Sequence, residues 1–115
     1  MTAPGAYGRG TGPARHERPD IDEAALIAAR AADRVLEGAR ERGSGRWSTY
    51  FEALPDGLRD DAVRDLRSSA LRVRAAYGPR DSIRDVLPPD LTEPLLEAVD
   101  RLLKVLTRRE ASDGL

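Results

Sequence analysis

The single histidine, His16, is the first residue whose side chain could support catalysis or metal binding, because imidazole titrates near neutral pH. It lies in residues 1–19, MTAPGAYGRGTGPARHERP, which contain four glycines and three prolines and no hydrophobic periodicity. We expect a flexible tail there, so nothing would hold the imidazole against a nucleophile or a metal. The tail glycines do not follow a strand pattern and lack the Gly-Lys-Ser/Thr ending of a phosphate-binding loop.

Carboxylates are the other groups that could do chemistry. Asp60 and Asp61 are adjacent and could in principle bind a cation, but their surroundings match neither a calcium loop nor a carboxylate–histidine site. The chain has no cysteine, which excludes disulfides, thiolate zinc sites and cysteine nucleophiles. We therefore predict no catalytic residue, no cofactor and no metal, and a protein that is not an enzyme.

The aromatic residues form the most distinctive pattern. Trp47, Tyr50 and Phe51 lie within five positions and include the only tryptophan and the only phenylalanine. With Leu54 they follow the spacing i, i+3, i+4, i+7, which is one face of a helix. Because a buried ring removes roughly 150–250 Å² from water, this face predicts a plug in the core. Two alternatives stay open: an exposed anchor for a partner protein, or a base-stacking surface with Arg46 as its neighbouring cation.

The elements that must position these rings are predicted to be helices. The first runs over residues 20–42, with Asp20 as N-cap, Glu23 completing a capping box, and Gly43 as the stop. One side of it is mostly alanine, so a neighbouring helix could approach closely. This side consists of Ile21, Ala25, Ala28, Ala32, Val35, Leu36 and Ala39.

Two further helices are predicted in the middle of the chain. A short one, carrying the aromatic residues, begins at Ser44 or Ser48 and ends at Pro55. A Pro-Asp-Gly turn at 55–57 separates it from a third helix over residues 58–77. The packing seam of the third helix is Val63, Leu66, Ala70, Val73 and Tyr77, with its arginines on the solvent side.

A tight turn, Gly78-Pro79-Arg80, ends the third helix. Residues 80–87, RDSIRDVL, then predict one or two helical turns with three side chains pointing inward, namely Ile83, Val86 and Leu87. Two helices around a turn leave open an alternative function, a small DNA-binding or transcription-regulating protein. The aspartates in the candidate recognition segment would repel phosphates. The chain also has 19 basic and 20 acidic residues, and this near balance argues against a nucleic-acid partner.

The last helix is the most apolar part of the chain. Pro88 and Pro89 of the segment PPDLTEP (residues 88–94) precede it. Its predicted cap is Asp90 or Thr92, with Pro94 in the first turn, and its predicted end is near residue 109. Its apolar face is wide enough to be buried on two sides, either centrally in the bundle or against another chain. Two adjacent stripes make up this face: Leu91, Leu95, Ala98, Leu102 and Val105, and beside them Leu96, Val99, Leu103 and Leu106.

The order of four segments resembles a known family. The segments are RVLEGARERGSGRW with its single Trp47, LRVRAAYGPR, PPDLTEP and LLEAVDRLLKVL. Over about residues 30–107 they resemble the small actinobacterial proteins associated with CATRA systems, the gene clusters of caspase and TPR-repeat associated proteins. The resemblance implies an accessory helical partner of a larger peptidase-like effector in a conflict setting, without catalysis of its own. It also implies fold-shaping roles for Trp47, Gly78, Pro79 and Arg80.

Taken together, the sequence predicts an all-α bundle of three long helices and one or two short ones. One domain would span residues 20–109, between the tail and a frayed end at 110–115. No apolar run approaches the roughly 20 residues of a membrane span, and no signal peptide is visible, so we expect a cytoplasmic protein. The expected function is a non-enzymatic interaction protein that binds a larger effector or forms a homo-oligomer. Its candidate interaction or packing residues are Trp47, Tyr50, Phe51, Leu96, Val99, Leu103 and Leu106.

Overall fold

The computed structural model describes residues 14–113, and this part of the chain is helical without a strand. It confirms the all-α bundle of three long and two short helices. The helices are α1 (Pro19–Glu41), α2 (Gly45–Phe51), α3 (Leu54–Asp60), α4 (Val63–Ala75) and α5 (Pro89–Asp113), with single 3-10 turns at Arg15–Glu17 and Ile83–Asp85.

Helix α1 is the centre of the bundle and packs against α5, α3 and α2. Seven of its eleven buried residues are alanine, so the neighbouring backbones come close. At Gly38 a β-carbon would lie only 2.8 Å from Leu91 Cδ1 of α5, which explains a glycine in the middle of a long helix. Helix α5 lies between α1 and α4, and its central leucines complete the core.

The C-terminus of α1 is where the sequence predicts it, but the N-terminus is not. Gly43 adopts φ 68°, and Gly43 N–H and Ser44 N–H donate to the carbonyls of Arg40 and Ala39, so the helix stops as a Schellman motif. The predicted capping box at the N-terminus is wrong. The helix begins at Pro19, one residue before the predicted cap, because the fixed φ angle of proline suits the first helical position.

The N-terminal boundary also differs from the predicted tail. Residues 1–13 of that tail lie outside the described residues, whereas Ala14 to Arg18 form a 3-10 turn that packs on the bundle. Arg15 Nε donates to Asp22 Oδ1 at 2.7 Å, and Arg15 Nη1 donates to the carbonyls of Asp61 at 2.8 Å and Leu58 at 3.2 Å. These carbonyls lie at the C-terminus of α3, where helical partners are missing. The guanidinium therefore serves as a long-range cap.

The middle of the chain contains a helix where a turn was predicted. Residues 54–60 form α3, with Pro55 in the first turn. The N–H groups of a first turn have no intrahelical acceptor, so the missing N–H of Pro55 costs no hydrogen bond. The chain then breaks at Asp61, whose carboxylate accepts a hydrogen bond from Ser69 Oγ at 2.7 Å. As a result α4 begins at Val63 rather than at residue 58, and it ends at Ala75.

The connection between α4 and α5 is partly as predicted. Ile83 and Leu87 are buried, but Val86 is exposed, because a single 3-10 turn does not repeat every 3.6 residues. The Gly78-Pro79-Arg80 segment is a bend, and Asp81 after it has φ 53°. A recognition helix for DNA is therefore not formed by residues 80–87.

Helix α5 begins at Pro89, earlier than the predicted caps Asp90 and Thr92. Pro94 consequently lies inside the helix rather than in its first turn. Because proline has no N–H, the carbonyl of Asp90 lacks the intrahelical hydrogen bond that residue 94 would otherwise donate. Thr92 is fully buried, and its carbonyl accepts a hydrogen bond from Tyr77 Oη at 2.6 Å. The start of α5 is thereby fastened to the residues that follow α4.

Candidate interaction surface

The aromatic cluster, defined as Trp47, Tyr50 and Phe51, lies in the core. Trp47 is 4% exposed, Phe51 is fully buried and Tyr50 is half-buried. The ring centroids are 5.3 Å apart for Trp47 and Tyr50 and 5.5 Å apart for Tyr50 and Phe51, within the range of favourable edge-on contacts. Tyr50 Oη also donates to the carbonyl of Arg72 at 2.6 Å, which ties α2 to α4. The cluster is therefore a packing element and not a surface presented to a partner.

The local sequence explains why so short a helix can hold these rings. Ser44 is the N-cap, and its Oγ accepts a hydrogen bond from Trp47 N–H at 3.4 Å. The guanidinium of Arg46 lies 4.9 Å from the centre of the Trp47 ring, in cation–π range. Because the ring is buried and has a cation beside it, it offers no face on which a base could stack.

The second predicted stripe of α5 is divided between the core and the surface. Val99 is fully buried and Leu106 nearly so, because both face into the bundle. Leu96 and Leu103 are half-buried, and Leu103 packs against the core from the edge of the helix. The wide face is thus mostly covered from within the chain, and a remainder is left along one edge.

That edge borders a surface groove between α4 and α5, with a volume of about 570 Å³. Arg74 Nε lies 3.5 Å from Asp100 Oδ1 across it, which is an ion pair but too long for a strong hydrogen bond. This α4–α5 groove is lined by Arg74, Asp100, Leu103, Lys104, Thr107 and Arg108.

Leu71 belongs to the same edge, and sequence reasoning did not single it out. It is 48% exposed, one of the most exposed large apolar side chains in the described part of the chain. It lies four residues after Arg67 and three before Arg74, so the three share one side of α4. Arg67 Nη2 donates to Thr107 Oγ1 of α5 at 3.4 Å, which places this side along the groove. A leucine isolated among arginines at helical spacing was the available signal.

A second groove, of about 560 Å³, lies between α1 and α5. Four acidic and three basic residues alternate around it, so it has no strong preference for ligand charge. Its lining is Asp20, Glu23, Glu97, Asp100, Arg101, Lys104, Val105 and Arg108. Apart from Val105 this surface is polar, which makes it a weaker candidate for a protein interface.

The far end of the α4–α5 edge is closed by an ionic latch, defined as Tyr77, Arg84, Thr92 and Glu93. Arg84 donates to Glu93 through Nε at 2.9 Å and Nη2 at 2.8 Å, a bidentate pair, and its guanidinium lies 5.4 Å from the centre of the Tyr77 ring. The hydrogen bonds from Arg84 and then from Thr92 lower the pKa of Glu93 to about 2. Burial, with Glu93 adding to it, raises the pKa of Tyr77 above its usual range. The latch fixes the connection between the helices and contains no free acid or base.

Residues 14–113 have neither a metal-binding cluster nor a membrane-spanning helix. No group of three or more histidine, aspartate or glutamate residues there is arranged to hold a metal ion, and His16 is exposed. None of the helices in this part of the chain is both long and apolar enough to cross a membrane. No protein-family model, no curated protein and no solved structure matches the chain.

Proposed function

We propose that this chain is a non-enzymatic helical interaction protein, and that the α4–α5 groove is where it binds a partner protein. The observation that carries the proposal is a partly exposed apolar edge: Leu71 of α4 is 48% exposed, and Leu103 of α5 lies in a groove bordered by charged side chains. An apolar centre with a polar rim is the usual composition of a protein–protein interface.

The proposal assigns different roles to the two apolar features that the sequence singled out. The aromatic cluster holds the bundle together, and the edge between α4 and α5 is available for binding. In keeping with the resemblance to CATRA-associated small proteins, the proposed partner is a larger effector protein. An accessory subunit of this kind contributes binding surface and leaves any chemistry to its partner.

Site-specific photocrosslinking in the native host tests this proposal. A photoreactive phenylalanine analogue would replace Leu71 in the full chain, and the same analogue would replace Ile27 on α1 as the control. Ile27 is a good match because it is 40% exposed but lies away from the groove. We expect one crosslinked protein species at position 71 that is absent at position 27, identified by mass spectrometry.

Leucine substitutions provide the second arm of this experiment. Leu71→Ser with Leu103→Ser should abolish the crosslink to a probe at Leu96 while the helical circular dichroism is retained, because Leu71 is 48% exposed and Leu103 lies at the edge of the core. Leu106 is left unchanged, since it is buried and its replacement would destabilise the fold. Equal crosslinking at positions 27 and 71, or crosslinks only to other copies of the chain, would contradict the proposal.

A further inference from the structure

Resting on the proposed function, we propose that the partner presents an acidic amphipathic helix to the α4–α5 groove. The charges of the groove are the first argument. Its lining has three cations, Arg74, Lys104 and Arg108, and one anion, Asp100. Arg74 is paired with Asp100, so Lys104 and Arg108 give the lining its excess of positive charge. The whole chain, by contrast, has a net charge of −1.

The groove also has an apolar component. Leu103 of α5 lines it, and Leu71 lies on the side of α4 that carries Arg67 and Arg74, so a ligand that carries only charge would leave these leucines in contact with water. A partner with apolar side chains on one face and carboxylates on its flanks satisfies both kinds of group. The pattern of an amphipathic helix, with leucines three or four residues apart, provides this arrangement.

The geometry of the walls fits a helical ligand. Arg67 is opposite Thr107 and Arg74 is opposite Asp100, so α4 and α5 run antiparallel along the groove. The distance along α4 from Arg67 to Arg74 is about 10 Å, or two helical turns. Two turns of a docked helix can place apolar side chains against the leucines and acidic residues against Lys104 and Arg108.

Two other occupants fit these observations less well. A second copy of the chain docked through the same groove would bring its cations against those of the first copy, which is unfavourable. Nucleic acid would pair with the cations but would not cover Leu71 and Leu103, and its phosphates would meet Asp100. Both occupants become outcomes of the test.

The test is a selection of random displayed peptides of roughly 15 residues, about four helical turns, against the immobilised full chain. We expect the enriched peptides to have net negative charge and leucine-like residues at a spacing of three or four. One enriched peptide would then be synthesised with a fluorescent label, and its affinity measured by fluorescence anisotropy. Leu71→Ser and Lys104→Glu should each weaken binding by roughly tenfold, through the loss of apolar contact and the reversal of charge.

Matched controls use residues on the outer side of α1. Ile27→Ser is the control for the leucine change and Arg30→Glu for the charge reversal, and each should alter the affinity by no more than about twofold. Circular dichroism of every variant establishes that the fold is retained. Tighter binding at low salt and weaker binding at high salt are expected for the wild-type chain with the acidic peptide.

The outcomes separate the two proposals. Enriched peptides that are neutral or basic, but still require Leu71, would overturn the acidic partner and leave the groove as the binding site. No enrichment, or binding that is unaffected by Leu71→Ser, would overturn the groove and with it the proposed function. Binding of a labelled single-stranded oligonucleotide more tightly than any selected peptide would overturn the acidic helix in favour of nucleic acid.

Discussion

Helices α2 and α5 differ in how completely their large apolar side chains are buried. The seven-residue α2 is surrounded by α1, α3 and the carbonyl of Arg72 on α4, and its aromatic cluster is enclosed. The 25-residue α5 has the 23-residue α1 on one side but only the 13-residue α4 on the other. At 1.5 Å per residue, α4 is about 20 Å long against about 38 Å for α5. The shorter α4 therefore faces only part of α5, and Leu96 and Leu103 of α5 are half-buried rather than enclosed.

The difference teaches that the number of elements packed around a helix, and not the size of its side chains, decides which apolar face stays partly exposed. If this is right, substitutions in the aromatic cluster should reduce stability strongly, and substitutions at the α4–α5 edge should reduce it weakly. The following predictions test that contrast in order of decreasing effect.

Trp47→Ala should have the largest effect. Removing a ring that is 4% exposed leaves a cavity in the core and should lower the free energy of unfolding by about 3–5 kcal/mol. Urea denaturation followed by circular dichroism measures this change. Ile27→Ala, at an exposed position, is the control and should cost less than about 1 kcal/mol. A cost for Trp47→Ala no greater than that of the control would remove the distinction between the regions.

Leu106→Ala and Leu103→Ala compare two leucines three residues apart on α5. Leu106 is buried, so its truncation should lower the free energy of unfolding by about 2–4 kcal/mol. Leu103 is half-buried and should cost about 1 kcal/mol, since less surface returns to water. The same denaturation experiment measures both. Equal costs would mean that the edge of α5 is covered as fully as its centre.

Tyr50→Phe and Tyr77→Phe each remove one hydroxyl that donates to a backbone carbonyl at 2.6 Å. Each should cost about 0.5–1.5 kcal/mol, because the carbonyl loses a partner while the ring remains. Thermal melts of the two variants give the comparison. A loss for Tyr50→Phe with none for Tyr77→Phe would show that the latch end of the α4–α5 edge contributes nothing to the fold.

Glu93→Gln should have the smallest effect, and only at acidic pH. The pKa of Glu93 is lowered from 4.5 to about 2 in the folded protein, so its carboxylate stabilises the fold above pH 4.5 and this contribution is lost as the pH falls towards 2. The melting temperature of the wild type should therefore decrease more steeply over this interval than that of Glu93→Gln. Glu37→Gln, on the exposed side of α1, is the matched control. Parallel curves for wild type and Glu93→Gln would contradict the latch.

Periodicity was sufficient to predict α1, α2, α4 and α5 and most of their buried faces. The alanine side of α1, the face shared by Trp47 and Phe51, and the stop at Gly43 are local patterns, and local patterns are what single helices require. The burial of Ile83 and Leu87 could also be inferred, since these are the apolar residues of a short polar segment.

The remaining features depend on contacts that are distant in sequence. Helix α3 was missed because Pro55 and Gly57 have turn preferences when considered alone, although Pro55 fits the first turn of a helix. Leu71 lies off the packing seam of α4, which indicates that it is exposed, but the pattern within α4 does not show which helix passes beside it. The proposed interaction surface could therefore be located only once the packing of the helices was known.

The capping of α3 by Arg15 determines where an independently folding fragment can start. With a side chain only 16% exposed, Arg15 is anchored between Asp22 of α1 and the last carbonyls of α3. A chain trimmed to begin at Asp20, the boundary suggested by the sequence, would leave those carbonyls without a donor. Limited proteolysis should accordingly leave a resistant fragment that retains Arg15. A fluorophore or fused protein attached ahead of Ala14 would emerge beside the end of α3.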